Sequence, residues 1–456
     1  MSFISLEFVL LFLLCFTLYH FISDKRRKFV LLAASGVFIG YFNPAFLVTA
    51  LVVSLFTYGA AILIEQAREK GRGFRLIYWG GIFCLVLCWI GFRYANRLTG
   101  DSGFIFPLGM SFYTFQAIGY LTEVYWEEEK AERRPIDFLL YMLLFMKFLS
   151  GPIERSADLL PQVRKLSPAS YSMMTYGLKL IVVGLVKKLV LADHIAPYID
   201  GVFSSMHTAS GVQLLMACLL YPIELYADFS GYTDMAIGIG MLFGLKLSSN
   251  FAHPFAAQTT AEFWRRWHIT LGRWFRDYVY IPLGGNRVSK SRHIFNLMVV
   301  WFLTGLWHGA AWNFVAWGLY YGIILIIEKY ILSPVLDKLP SVVRHIYSIV
   351  LVVIGWVLFF SPSLGGAARY LGMMFGAGAH GVADRESLYL LTTNLVLWII
   401  LIIGSTPLTD VRYQHMLRQK KWNTTLLNGI VYAVLFILCI AYLVTETYNP
   451  FLYFRF

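Results

Sequence analysis

The sequence predicts an all-α integral membrane protein, a single polytopic domain of about ten to twelve transmembrane or re-entrant helices. Of its 456 residues, 58% are hydrophobic and only 14% are charged, whereas an average soluble domain has about 25% charged residues. Apolar runs close to the ~20 residues that cross a bilayer recur along the chain. They are 3–22, 44–64, 76–92, 178–191, 342–360, 388–404 and 426–444. We therefore expect one domain, 1–456, that faces mostly lipid and its own helices.

The basic turns predict how the chain is oriented in the membrane. The first apolar run has no basic residue before it and no small-residue cleavage site after it, so it reads as a retained helix. Asp24 to Lys28 follows directly, and further basic segments lie at 68–75 and 412–421. Because loops rich in Lys and Arg stay in the cytoplasm, we expect both termini to be extracytoplasmic.

Net charge and cysteine usage exclude other classes of protein. The net charge of +12 is explained by this topology and by attraction to membrane lipid, so we expect no nucleic-acid partner. The five cysteines all lie in apolar stretches without metal-ligand spacing. We therefore expect no metal site.

The segment around His268 predicts a helix with two faces. Thr259 and Glu262 have the spacing of a capping box, which predicts a helix from there to about Val279. On a helical wheel four arginines share one sector and the aromatic residues fill the opposite side, with His268 on the border. The arginines are Arg265, Arg266, Arg273 and Arg276. The pattern fits an interfacial helix at the lipid headgroups, and it equally fits a basic surface that binds a phosphate-bearing donor.

His308 lies at the end of an apolar run that starts near Ile294, and Gly309 follows it directly. A titratable imidazole at membrane depth is a candidate functional residue. It fits a core residue, a general base, a haem ligand paired with His268, or the proton relay of a transporter or flippase. Neither histidine has a carboxylate or cysteine at ligand spacing, which argues against zinc.

The stretch from Tyr221 to Gly244 combines acidic residues with clustered glycines. Glu224 and Asp228 are four residues apart and share one face of a helix. Because buried carboxylates need partners, we expect them to pair with Lys187, Lys188 or the arginines of 265–276. The glycines predict a close-packed or re-entrant segment.

Four stretches together resemble one family. They are DFSGYTDMAIG at 228–238, FWRRWHITL at 263–271, YVYIPLGGNR at 278–287 and GLWHG at 305–309. They closely resemble the membrane-bound O-acyltransferase family, in particular its bacterial branch of alginate O-acetylases and teichoic-acid D-alanyl transferases. Segments 107–116 and 150–153 resemble the same branch.

The resemblance implies helices around a central funnel in the inner membrane, with a cytoplasmic donor entry and an extracytoplasmic acceptor side. It makes His308 the expected catalytic residue and His268 its assistant. Further residues of the motifs are expected to bind the donor or support the site. The donor-binding residues are Arg265, Arg266, Arg273, Arg276, Trp264 and Trp267; the supporting residues are Asp228, Asp234, Trp307 and Asn313.

The C-terminal segment 445–456 resembles an extracytoplasmic terminal motif that acetylases of this branch carry on the transferase itself. Its presence implies acetyl-CoA as donor substrate, no bound cofactor, a serine-hydrolase-type partner outside and a polysaccharide as final acceptor. Tyr453 is the expected acyl acceptor, although its aromatic neighbourhood also fits a simple interfacial anchor. D-alanyl or another acyl transfer is the alternative within the family, and a transporter or flippase is the alternative outside it.

Overall fold

The computed structural model describes residues 1–95, 105–309, 311–377, 381–406 and 422–445, and no strand occurs in these ranges. The predicted all-α class is confirmed. Within the described residues six helices are long and apolar enough to cross a membrane, and a bent pair makes up to seven. The predicted count of ten to twelve is not confirmed.

The chain divides into two compact units, of which the first comprises Met1–Gly184 and Tyr232–Ser249. The helices that begin in it are α1 (Leu6–Phe21), α2 (Asp24–Phe42), α3 (Pro44–Glu69), α4 (Phe74–Arg93), α5 (Met110–Tyr125), α6 (Pro135–Leu143), α7 (Phe145–Phe148), α8 (Ser156–Arg164) and α9 (Tyr171–Leu185). Of these, α3 and α4 qualify as membrane spans, and α1 is a shorter apolar helix.

The second unit comprises Leu185–Gly231 and Asn250–Phe456. Its π-helical turns are Val186–Ala192 after α9, Arg276–Tyr280 after α13 and Glu328–Leu332 after α15. Its α-helices are α10 (Asp193–Ser204), α11 (Gly211–Leu242), α12 (Thr260–Arg266), α13 (Ile269–Phe275), α14 (Lys290–His308), α15 (Trp312–Ile327), α16 (Ser333–Leu336), α17 (Ser341–Phe360), α18 (Leu364–Met374), α19 (Arg385–Thr393), α20 (Leu395–Ser405) and α21 (Trp422–Thr445). The bent pair is α19 and α20, which meet at 64°.

The acidic, glycine-rich stretch forms one continuous helix, α11, of 32 residues. The expectation of a re-entrant segment is wrong, whereas the expectation of close packing is met. A methyl group on Gly238 would overlap the carbonyl oxygen of Gly177 in α9. The glycines therefore allow close helix packing rather than a break in the helix.

Helices α14 and α15 form an antiparallel hairpin that positions His308. The first helix ends at His308, because Gly309 interrupts the helix as the sequence predicts. A side chain at Gly305 would overlap the carbonyl oxygen of Phe314, and one at Gly318 would overlap that of Trp301. Two glycines thus bring the helix backbones together just before the imidazole.

Candidate active site

The predicted helix over 259–279 is interrupted at His268. Thr259 caps its start, because its side chain accepts a hydrogen bond from the backbone N–H of Glu262. Helix α12 then ends at Arg266, and His268 adopts a left-handed conformation with φ 46° before α13 begins. The wheel that placed His268 on a helix border is therefore wrong.

The break arises because the preceding segment takes over backbone groups that a continuous helix would use. The carbonyl oxygen of Arg266 accepts from the N–H of Ala252, and the N–H of Ile269 donates to the carbonyl oxygen of Asn250. These tertiary hydrogen bonds replace helical ones. A local sequence pattern cannot reveal such a competition.

Asn250 fixes the tautomer of His268, and burial keeps the ring neutral. Its Oδ1 accepts from the backbone N–H of Thr270 at 3.2 Å and from the Thr270 hydroxyl at 2.9 Å, and it lies 3.1 Å from Nδ1 of His268. An amide oxygen can only accept hydrogen bonds. The ring nitrogen that faces it, Nδ1, must therefore be the donor and carry the ring proton. Burial lowers the pKa of His268 to about 3, so the ring is neutral and its Nε2 is unprotonated.

Replacing Asn250 by Ala is expected to reduce both stability and activity. The change leaves buried donors without their acceptor, at about 1–3 kcal/mol each, and it frees the His268 ring to rotate. Asn250→Asp keeps the acceptor and should retain more of the thermal stability. Denaturation midpoints of the two purified variants compare them, and equal midpoints for Ala and Asp would refute the role of Oδ1.

The two histidines differ in exposure. His268 is only 3% exposed and packs between Phe229 at 4.9 Å and Trp307 at 6.2 Å, measured between ring centroids. His308 is partly exposed and contacts the rings of Trp317 at 4.9 Å and Phe359 at 5.1 Å. Of the two imidazoles, His308 is the more accessible.

Both histidines line a cavity of about 880 Å³, all of whose lining residues belong to the second unit. Its volume falls in the range of pockets that hold drug-sized ligands and cofactors. One face of α14 runs along it at helical spacing. The residues of that face are His293, Leu297, Val300, Trp301, Thr304 and His308. At 1.5 Å per residue this face extends over about 22 Å, so the cavity is long.

The two ends of the cavity differ in chemistry. At the His308 end the walls are aromatic, and Trp317, Trp356 and Phe359 pack together there. At the opposite end His293 lies 3.5 Å from Lys329 and 2.8 Å from the hydroxyl of Tyr280. The cavity therefore runs from a polar, basic end to an aromatic end that holds an imidazole.

The four predicted donor-binding arginines do not act as one group. Arg265, Arg273 and Arg276 line the cavity, whereas Arg266 does not. Arg266 pairs with Glu262 at 2.7 Å, and Arg276 pairs with Asp277 at 2.7 Å. Arg265 is exposed and makes no ion pair within the described part of the chain. Both tryptophans predicted to bind the donor, Trp264 and Trp267, line the cavity.

The predicted supporting residues lie in different places. Asp228 is buried and pairs with Lys188 at 2.7 Å, which is the type of pairing expected from the sequence. Asn313 donates from Nδ2 to the carbonyl oxygen of Phe359 at 3.2 Å and so ties the start of α15 to α17. The indole of Trp307 contacts both imidazoles, at 4.6 Å from His308. Asp234 is partly buried and belongs to the first unit.

Glu328 is a residue of the site that the sequence analysis missed. Its two carboxylate oxygens accept from the backbone N–H groups of Thr260 at 2.8 Å and Ala261 at 3.1 Å. A carboxylate there stabilises the positive end of the helix dipole of α12. The feature of the sequence that pointed to Glu328 is a single acid in an otherwise apolar run.

Tyr453 and the terminal motif beyond Thr445 lie outside the described residues, as does the basic segment 412–421. Within the described ranges no group of three His, Cys, Asp or Glu is placed to hold a metal ion.

Comparison with known proteins assigns this architecture to a family. Residues 127–364 match the model of the membrane-bound O-acyltransferase family. The chain is 32% identical to the probable alginate O-acetylase of Azotobacter vinelandii over 100% of both chains. The chain belongs to the membrane-bound O-acyltransferase family. It is a multi-pass membrane protein and an acyltransferase.

Two further relatives have names that refer to polymers of the cell envelope. The peptidoglycan O-acetyltransferase of Helicobacter pylori is 30% identical, over 94% of this chain and 91% of its own. The teichoic acid D-alanyltransferase of Streptococcus thermophilus is 30% identical, over 56% of this chain and 65% of its own. The family resemblance read from the motifs is thereby confirmed.

Proposed function

We propose that this protein transfers an acetyl group from cytoplasmic acetyl-CoA to an acceptor outside the membrane. The observation that carries the proposal is the polarity of the cavity, which is aromatic around His308 and elsewhere has an excess of positive charge. Its lining contains four cations, Arg265, Arg273, Arg276 and Lys329, and two acids, Glu328 and Asp337. Acetyl-CoA has the same polarity, with phosphates at one end and a small acyl thioester at the other. The long cavity between the two ends suits its extended pantetheine arm.

The basic end takes the CoA phosphates and faces the cytoplasm. Lys290 and Arg292 lie in the first turn of α14, and Lys329 and Lys338 lie in the segment that follows α15, the returning helix of the hairpin. Such a concentration of cations is typical of cytoplasmic membrane faces. Arg265 is the best placed phosphate ligand, since it lines the cavity and, unlike Arg276, forms no direct ion pair with a described acid.

His308 acts as general base at the other end. Its imidazole accepts the proton of the acceptor hydroxyl while the hydroxyl oxygen forms a bond to the thioester carbonyl carbon. The carbon–sulfur bond then breaks, and the imidazolium returns the proton to the CoA thiolate. His268, held by Asn250, positions Trp307 and through it the His308 ring.

The acceptor is Tyr453 or a serine of an extracytoplasmic partner. A phenol has a pKa of about 10 and a thiol one of about 8.5, so an aryl acetate keeps much of the activation of a thioester. Tyr453 can then carry the acetyl group to a serine-hydrolase-type partner, which passes it to a polysaccharide. The relatives named as alginate and peptidoglycan acetylases support an envelope polymer as the final acceptor.

Replacing Arg265 by Gln is expected to raise KM for acetyl-CoA by roughly 10- to 100-fold, the worth of a charge-assisted hydrogen bond. KM for S-acetylpantetheine, which has no phosphate, should stay unchanged. The exposed Arg287, changed to Gln, is the matched control. Steady-state kinetics with both donors measure the effect, and an equal rise for both donors would remove Arg265 from phosphate binding.

A further inference from the structure

The hairpin of α1 and α2 carries an apolar groove of about 570 Å³, separate from the cavity of the second unit. Small residues form its floor, where Cys15 is 3% and Ala34 is 5% exposed. Large exposed residues form its rims, with Leu14 at 60% and Phe29 at 53% exposed. The groove is lined by Leu11, Leu14, Cys15, Leu18, Ile22, Arg26, Phe29, Val30, Ala33, Ala34 and Val37.

The groove has the length of one membrane leaflet. Along α1 and its C-cap residue it extends from Leu11 to Ile22, which at 1.5 Å per residue is about 16 Å. The hydrocarbon core of a bilayer is about 30 Å thick, so this is close to half of it. The groove therefore accommodates one acyl chain from one side of the membrane.

One end of the groove is cationic. Arg26 is the one charged residue among its lining residues and stands at the turn between the helices, beside Lys25. The other two cations of the turn are occupied, because Arg27 pairs with Asp24 and Lys28 pairs with Asp137. Lys25 and Arg26 are exposed and form no ion pair with any residue that the structure describes. Arg26 at the end of the apolar groove, with Lys25 next to it in the chain, matches a phosphate attached to an acyl chain.

We propose that this groove binds an anionic phospholipid of the cytoplasmic leaflet. One acyl chain lies on Cys15 and Ala34, between the rims formed by α1 and α2. The phosphate lies at Lys25 and Arg26, where the cationic turn faces the cytoplasm. This site is independent of the transfer reaction and of the donor.

The test is a titration of the purified full-length protein with phosphatidylglycerol, followed by native mass spectrometry. Each cation near a membrane surface contributes about 1 kcal/mol, so Lys25→Ala with Arg26→Ala should weaken phosphatidylglycerol binding roughly 30-fold. Phosphatidylcholine should bind the wild-type protein no better than it binds the double variant. The matched control is Lys70→Ala with Arg72→Ala, two exposed cations of the next basic turn, which should retain wild-type affinity.

A second pair of variants tests the groove without changing charge. Ala33 is an exposed lining residue, and Ala33→Phe fills the groove from the lipid side. Binding should fall as it does for the charge variant, whereas Val48→Phe on the lipid face of α3 should bind as wild type. The proposal would be overturned if the double variants of the two basic turns lost phosphatidylglycerol binding equally, or if Ala33→Phe bound it fully.

Discussion

The protein with His308 replaced by Ala is expected to lose acetyl transfer by about 10²- to 10⁴-fold, the usual contribution of a general base. KM for acetyl-CoA should change little, since the imidazole acts on the acceptor hydroxyl rather than on the CoA phosphates. Because His308 is only partly buried, its removal should leave thermal stability near that of the wild type. Release of free CoA and transfer of labelled acetyl, both measured on purified protein, give the rate.

Two further histidine variants complete this experiment. His207 is exposed in the loop between α10 and α11, and His207→Ala should transfer acetyl at the wild-type rate. His268→Ala removes a ring that is 3% exposed, so its stability should fall together with its activity. Undiminished turnover by His308→Ala would show that this residue takes no part in the chemistry.

Replacing Lys188 by Met is expected to cause a large loss of stability. The ammonium group of Lys188 lies 2.8 Å from Asp193 and 2.7 Å from Asp228, and all three side chains are buried. Breaking a buried ion pair by removing one partner typically costs about 3–5 kcal/mol, because the remaining charge stays buried. The thermal unfolding midpoint in detergent measures the loss.

Neutralising the acids should reverse part of that loss. The triple variant Lys188→Met, Asp193→Asn and Asp228→Asn carries no uncompensated charge and should be more stable than Lys188→Met alone. Lys246 is exposed, and Lys246→Met should unfold at the wild-type temperature. A Lys188→Met protein as stable as wild type would show that the ion pair contributes nothing.

The residue that follows Asp228 in the chain connects this ion pair to the active site. Phe229 follows Asp228 in α11 and packs on His268 at 4.9 Å. The buried pair thus anchors the segment of α11 that supports the second histidine. We expect the variants of Lys188 to lose transfer activity in parallel with stability.

The class of fold was predictable because membrane burial leaves a strong compositional trace. Runs such as 44–64 and 342–360 correspond to the spans α3 and α17. The spans α11 and α15 were missed as continuous runs, since the first contains Glu224 and Asp228 and the second continues through Glu328 into a π-helical turn. Acids that find partners inside a protein lower the hydropathy of a segment that still crosses the membrane.

The local chemistry of the site was only partly predictable. The helix end at His308 follows from Gly309, and the cap at Thr259 follows from the spacing to Glu262. The break at His268 depends on Asn250, which lies 18 residues away in the sequence. Likewise, the acids that neutralise Arg266 and Arg276 became apparent only in three dimensions. Sequence patterns report local preferences, whereas these features come from tertiary hydrogen bonds and ion pairs.

A cryo-EM structure of the protein with a non-hydrolysable thioether analogue of acetyl-CoA would test the central claim most directly. We expect the phosphates at the basic end beside Arg265, the pantetheine arm along the His293 to His308 face of α14, and the acyl carbon next to the His308 ring. An analogue bound in the opposite direction, or bound with its acyl end away from His308, would contradict both the assigned donor entry and the assigned base.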